Sequence, residues 1–164
     1  MSLLTRWQCN PARWNERHLS SFQSSFFSAS RRHGKKASKK KSPDQETQFA
    51  RFACKQIKSL GLKVFDIGCG NGRDTIFFNK KKIKCVGLDK SNEIIKKNKK
   101  IHKKFSNYFR QSNFCNFFEK KINEPFIIYS RFTWHSINYN DEKKLIKSLK
   151  KNKNFKYLFI EART

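Results

Sequence analysis

In the stretch "VFDIGCGNGRDTIFF" (residues 64–78), three of the chain's six glycines fall within five positions, directly behind an aspartate: Asp66-x-Gly68-x-Gly70-x-Gly72. Glycine reaches positive φ without strain and lets a ligand approach the main chain where a Cβ would collide. A dinucleotide-binding turn needs G-x-G-x-x-G, and its third glycine would fall at Arg73, so that reading fails. No G-x-x-x-x-G-K-[ST] phosphate loop is present either. A ligand laid on bare backbone and a turn that needs glycine for shape alone both stay open on these residues.

The acid-x-G-x-G-x-G spacing, placed between a short apolar run and a helix, resembles the cofactor loop of Rossmann-like (class I) S-adenosylmethionine (SAM) methyltransferases. "DIGCGNGR" is similar in particular to the tellurite-resistance type of small-molecule methyltransferase. The resemblance covers about residues 46–164. It implies that Gly68, Gly70 and Gly72 pass under the methionine portion of SAM, with Asp66 holding its ammonium group directly or through water.

Asp89 ends the segment "VGLD", 21 residues after Gly68. An acid at such a strand end accepts hydrogen bonds from both ribose hydroxyls, and a carboxylate offers several lone pairs with no competing donor. The alternative role, capping the helix that follows, falls more naturally to Ser91. The family commonly places an acid after its third strand to read the adenine amino group. The nearest match here is Asn113 in "QSNFCNF", with Phe114 or Phe117 covering the adenine ring; core packing of these phenylalanines is the competing reading.

In open parallel sheets, ligands bind outside the carboxyl ends of the strands. The loop "YSRFTWHSINY" (residues 129–139) is therefore expected to meet the acceptor. Methyl transfer is an in-line displacement that requires alignment, exclusion of water and, for a hydroxyl or amine, removal of a proton. His135 is the candidate general base, because imidazole titrates near neutral pH. Arg131 is the candidate clamp for an anionic substrate. Ser130 and Trp134, with Glu161 and Arg163 from "EART", are the candidate substrate contacts. Phe132 or Trp134 would line the methyl site, where an aromatic face tolerates a cation. The [ND]-P-P-[YF] motif of methyltransferases acting on nucleic-acid amino groups is missing, which favours a small-molecule or saccharide-type acceptor.

These residues need a scaffold of alternating strands and helices. Ser42 in "SPDQ" is the expected cap of a first helix, with Phe49, Phe52, Ala53, Ile57 and Leu60 at helical spacing and Gly61 as the stop. "KVFDIG" reads as a buried strand, "RDTIFFNKK" as a helix, "IKCVGLD" as a strand and "NEIIKKNKKI" as a helix. "NYFRQSNF" reads as holding a short strand, followed by a loop or partial helix through "CNFFEKK". "PFIIYS" and "FKYLFIEA" are strands flanking a helix "DEKKLIKSLKK" capped by Asn140. The pattern predicts an α/β, mostly parallel, Rossmann-like sheet of about five strands with helices on both faces. Set against the family's usual seven strands, the last two are missing, which implies either a minimal or truncated form or an oligomer or partner covering the sheet edge.

At 164 residues the chain holds one domain, expected over residues 42–164. Residues 1–41 carry ten Lys or Arg and one acid, and read as a disordered basic tail or a targeting segment. No apolar run is long enough for a membrane span. The five cysteines form no CxxC pair, so neither a disulfide frame nor a metal site is expected, and a cytoplasmic protein with reduced thiols is the simplest placement; organelle targeting through residues 1–41 is the alternative. The net charge of +26 reads either as a solvated lysine-rich surface or as a nucleic-acid footprint. Two further functions therefore stand beside the small-molecule enzyme: an RNA methyltransferase using its basic surface, and a non-catalytic SAM-fold binding protein.

Overall fold

The computed structural model of the chain describes residues 45–161, the side chain of His135 excepted. The basic segment 1–41, the expected cap at Ser42 and the rim residue Arg163 lie outside the described residues.

Five strands form one all-parallel sheet in the order β3-β2-β1-β4-β5. They are β1 (Lys63–Ile67), β2 (Cys85–Asp89), β3 (Phe109–Gln111), β4 (Phe126–Arg131) and β5 (Phe155–Glu161). The connecting helices are α1 (Gln48–Ile57), α2 (Arg73–Lys80), α3 (Asn92–Ile101), the single turn α4 (Phe114–Phe117) and α5 (Tyr139–Lys151). β1 is central, pairing β2 on one side and β4 on the other. Strand order runs outward from β1 to β3 and then restarts at β4, so the direction switches between β1 and β4. Ligand crevices of open α/β sheets form at such a point.

Both faces of the sheet are covered, which explains the continuous apolar runs in the strands. Phe65, Ile67, Leu88, Ile128 and Ile160 pack against α4 and α5 through Phe118, Leu145 and Leu149. On the other face, Val64, Ile127 and Phe159 meet Phe49, Ala53 and Ile57 of α1 and Phe78 of α2. Phe109, Ile76 and Ile95 form a smaller cluster under α3. No described helix is long and apolar enough to cross a membrane.

The helix ends differ from expectation at three places. α1 is capped by Thr47, whose hydroxyl accepts the Ala50 N–H at 3.0 Å, and it ends at Ile57, leaving Leu60 exposed. α5 is capped by Asn138 rather than Asn140: Asn138 has the extended backbone a cap requires (φ −76°, ψ 164°), and its side chain accepts the Asp141 N–H at 2.9 Å. A 3₁₀ segment, Lys103–Tyr108, precedes β3 and shortens that strand to three residues. Ser91 caps α3 as read, accepting the Ile94 N–H at 3.2 Å.

Candidate active site

The glycine turn leaves β1 and enters α2 at the switch point. Gly68, Gly70 and Gly72 all have positive φ, at 69°, 50° and 74°. The amides of Gly68 and Cys69 both donate to the Leu88 carbonyl, at 2.8 and 3.1 Å, tying the turn to β2. The three glycines answer different demands. A Cβ on Gly68 would lie 2.2 Å from Thr133 Oγ1, and one on Gly72 would lie 2.5 Å from the Phe109 ring. At Gly70 a Cβ would meet nothing within 4 Å. Two of the glycines thus make room for the protein's own side chains, and the middle one turns a bare Cα toward open space.

Gly70 is held from both sides of its peptide. Its N–H donates to Asp89 Oδ2 at 3.1 Å, and its carbonyl accepts the side-chain amide of Asn98 in α3 at 2.7 Å. Asp89 Oδ1 accepts the Ser91 N–H at 3.0 Å. The carboxylate is therefore fixed in orientation while its edge stays part-exposed. Asn98, 2% exposed, was not expected from the sequence. A lone Asn on a lysine-rich helix gives no signal until the helix is placed against the turn.

Beneath the turn lies a buried acid network. Asp66 Oδ2 accepts the Thr75 hydroxyl at 2.6 Å. Burial, reinforced by the nearby Asp74 carboxylate, pushes the Asp66 pKa up to about 7. Asp74 accepts the N–H and the hydroxyl of Thr47, each at 3.0 Å, and the Tyr129 hydroxyl at 2.9 Å. In the present structure Asp66 faces Thr75 and lies below the turn, not at its surface. Burial and the Asp66 and Asp89 carboxylates push the Cys69 thiol up as well, which makes it a poor nucleophile.

Above the turn is a cleft of about 330 Å³, within the range of small-molecule sites. Gly68, Asp89, Asn113, Phe114, Phe132 and Thr133 all line it. Asn113 caps α4 by accepting the Cys115 N–H at 3.0 Å, so its side chain is oriented. Phe114 is buried in the core under α4 and also lines the cleft.

The β4 loop is arranged differently from expectation. Ser130 is fully buried in the centre of the sheet, in register with Ile67 and Ile160, and its hydroxyl makes no hydrogen bond. Trp134 is also a core residue, 8% exposed, and its indole N–H donates to Glu142 at 2.8 Å. Neither lines the cleft. Arg131 and Glu161 sit opposite each other in register and pair at 2.6 Å, and the Arg131 guanidinium lies 4.2 Å from the centre of the Phe132 ring. Burial raises the Glu161 pKa, and Arg131 opposes that shift. Phe132 has φ 55°, an uncommon conformation for an aromatic residue, and its N–H donates to the Glu161 carbonyl at 2.8 Å. That bend brings Thr133 over Gly68. Thr133 was not among the sequence candidates. The His135 backbone lies in a 3₁₀ turn, Trp134–Ser136, and its side chain is outside the described residues.

Residues 58–160 match a family model described as a methyltransferase domain, well over half of the chain. The chain belongs to the methyltransferase-domain family. Its sheet is that of the Rossmann-like, class I SAM-dependent members, and SAM is the cofactor that goes with this domain. Among solved structures, the methyltransferase domain is similar to the bifunctional kinase-methyltransferase WbdD, with TM-score 0.54 and 21% identity over 65% of this chain and 27% of that one. It is also similar to the glycopeptide N-methyltransferase MtfA in complex with SAM, with TM-score 0.51 and 15% identity over 60% of this chain and 46% of that one. TehB from Haemophilus influenzae gives TM-score 0.49 and 22% identity over 60% of this chain and 34% of that one. The chain thus spans about a quarter of WbdD and under half of MtfA. At these identities the likeness is one of fold. A comparison with curated protein sequences found no match.

Proposed function

We propose that this chain is a SAM-dependent methyltransferase acting on a small-molecule or saccharide-type acceptor. The observation that carries the reading is Gly70: its Cα faces open space while its N–H is bonded to Asp89, and Asp89 lines the cleft beside Gly68. A nucleoside with a polar tail fits such a bare backbone next to an oriented carboxylate.

When bound, SAM supplies an electrophilic methyl group on a positively charged sulfur. Asp89 would take the ribose hydroxyls, and Asn113 and Phe114 the adenine. Gly68, Gly70 and Gly72 would form the floor under the methionine portion. Asp66 acts from below, as part of the acid cluster with Asp74 and Asp89; in a chain of net charge +26 this gives a cation-friendly pocket. Arg131, paired to Glu161 and stacked on Phe132, stands at the rim as the anion clamp. His135 remains the proposed general base. Ser130 and Trp134 support the loop from the core and do not touch the acceptor.

The test is labelled-methyl transfer from SAM into a cell extract separated into small molecules, RNA and protein, run beside calorimetry of SAM binding. Label in the small-molecule fraction supports the reading. Label confined to RNA transfers the assignment to an RNA methyltransferase. Binding without any transfer assigns a non-catalytic SAM-fold protein, and no binding to folded chain removes the cofactor assignment altogether. A His135→Ala variant that keeps full turnover removes His135 from the mechanism.

A further inference from the structure

Two grooves among the described residues lie at the other end of the strands from the cofactor cleft. One, of about 700 Å³, is formed where α1 and α2 end and β1, β2 and β4 begin, and it is lined by Lys58, Lys63, Lys80, Lys81, Lys82 and Lys84. The other, of about 760 Å³, lies between the segment after α4 and the last turns of α5, and it is lined by Lys120, Lys121, Lys144, Lys147, Lys151 and Lys153. Segment 122–125 runs between them, held by the Asn154 amide on the Ile122 carbonyl at 2.7 Å and by the Lys63 N–H on the Pro125 carbonyl at 3.4 Å. The acids among the lining residues are Glu119 and Glu124, and each is already ion-paired, to Lys144 and Lys63.

The opposite end of the sheet gathers most of the domain's buried acids, with Arg73, Lys90 and Arg131 among them. Asp66, Asp74, Asp89, Asp141, Glu142 and Glu161 all stand at carboxyl strand ends or in the first helical turns that follow. Part of this segregation follows from helix dipoles, which favour acids at helix starts and lysines at helix ends. A dipole is satisfied by one or two lysines in the last turn. It does not account for Lys82, Lys84, Lys120, Lys121 and Lys153, which lie outside the helices.

We infer that this amino-end rim is a docking surface for the phosphodiester backbone of nucleic acid, separate from the methyl-transfer site. Two concave basic grooves joined across the rim suit a chain of regularly spaced phosphates. A membrane surface fits less well: none of the large exposed apolar residues among those described, Leu60, Ile101, Tyr108 and Tyr139, lines either groove. No exposed aromatic lies among the described residues of the grooves for bases to stack on, so recognition is of charge spacing and not of sequence. The five residues of β1 separate this rim from the cleft by about 17 Å, so nucleic acid bound here leaves the cofactor cleft open.

The test is fluorescence anisotropy of the full chain with labelled 20-nucleotide oligouridine, oligothymidine and a mixed sequence, across a salt series. Two variants of equal net charge are compared: Lys81→Glu/Lys84→Glu/Lys120→Glu/Lys121→Glu in the grooves, and Lys96→Glu/Lys97→Glu/Lys99→Glu/Lys100→Glu on the exposed face of α3. The basic segment 1–41 is common to both, so the difference reports the grooves. The groove variant loses at least tenfold in affinity and shows a flatter salt dependence, the α3 variant loses less than threefold, the three oligonucleotides bind alike, and SAM binding is unchanged in both. Equal losses in the two variants overturn the inference, because total charge alone would then explain binding. So does tight binding to phosphatidylserine vesicles with no binding to oligonucleotide. If the glutamate set unfolds, as judged by circular dichroism, the same four lysines changed to glutamine carry the comparison with the corresponding glutamine set on α3.

Discussion

Asp89 Oδ2 accepts the N–H of Gly70 at 3.1 Å, across 19 residues of sequence and between two neighbouring strand ends. This one bond joins the carboxylate assigned to the ribose with the backbone assigned to the methionine tail. It sets the direction of the carboxylate before any ligand arrives, and pre-orientation lowers the entropy lost on binding.

Replacing Asp89 therefore acts on cofactor affinity more than on folding. Asp89→Ala weakens SAM binding at least tenfold, equivalent to about 1.4 kcal/mol, while Asp89→Asn, which keeps one acceptor oxygen, loses less. Isothermal calorimetry on folded protein measures both. An unchanged dissociation constant for Asp89→Ala would remove the ribose assignment.

The three glycines separate by what surrounds them. Alanine at any of them incurs the strain of positive φ, roughly 1–2 kcal/mol. Gly68→Ala and Gly72→Ala add collisions with Thr133 and Phe109, so both lower the urea midpoint further than Gly70→Ala does. Gly70→Ala keeps the fold and loses SAM affinity. Equal stability losses at all three positions would contradict the view that, of the three, only Gly70 has free space over its Cα.

Asp66 makes stability depend on pH. Its folded pKa is raised from 3.8 to about 7, so the folded state holds a proton that the unfolded chain has released. Between those values the folded state binds more protons, and stability falls as pH rises from about 4 to about 7, then levels off. Asp66→Asn flattens this part of the profile. Urea unfolding of the variant and the parent at pH 5, 6, 7 and 8 tests it; parallel profiles would show that Asp66 does not titrate there.

The Thr47, Asp74 and Tyr129 cluster fastens α1 to the start of α2 beneath the turn. Tyr129→Phe removes one donor to Asp74 and costs about 2 kcal/mol. Thr47→Val removes both the hydroxyl donor to Asp74 and the α1 cap, and costs about 3 kcal/mol. Equilibrium denaturation gives both values, and a neutral Tyr129→Phe would mean that the phenol is not bonded as described.

Much of this protein could be read before folding was considered. Strands and helices announced themselves through periods that local sterics and burial impose, and four of the five strand segments were plain. The third was blurred because Phe109–Gln111 is too short to show a period. The glycine spacing and the acid at the end of the second strand depend on backbone conformation and strand ends, which are local properties, so they were visible in one dimension.

Other properties exist only once distant segments meet. Asn98 became part of the turn because α3 lies beside it, and Thr133 covers Gly68 because Phe132 bends the loop at positive φ. Ser130 and Trp134 looked like site residues by composition, yet the pleat and the turn after β4 send both into the core. Sequence by itself determined which backbone segments are bare and which faces are apolar, because those follow from each residue's own shape and solvation. Which side chains share a cleft, which glycine is open to a ligand, and how acids and lysines divide between the two ends of the sheet were decided by tertiary packing, because each is a distance between parts of the chain far apart in sequence.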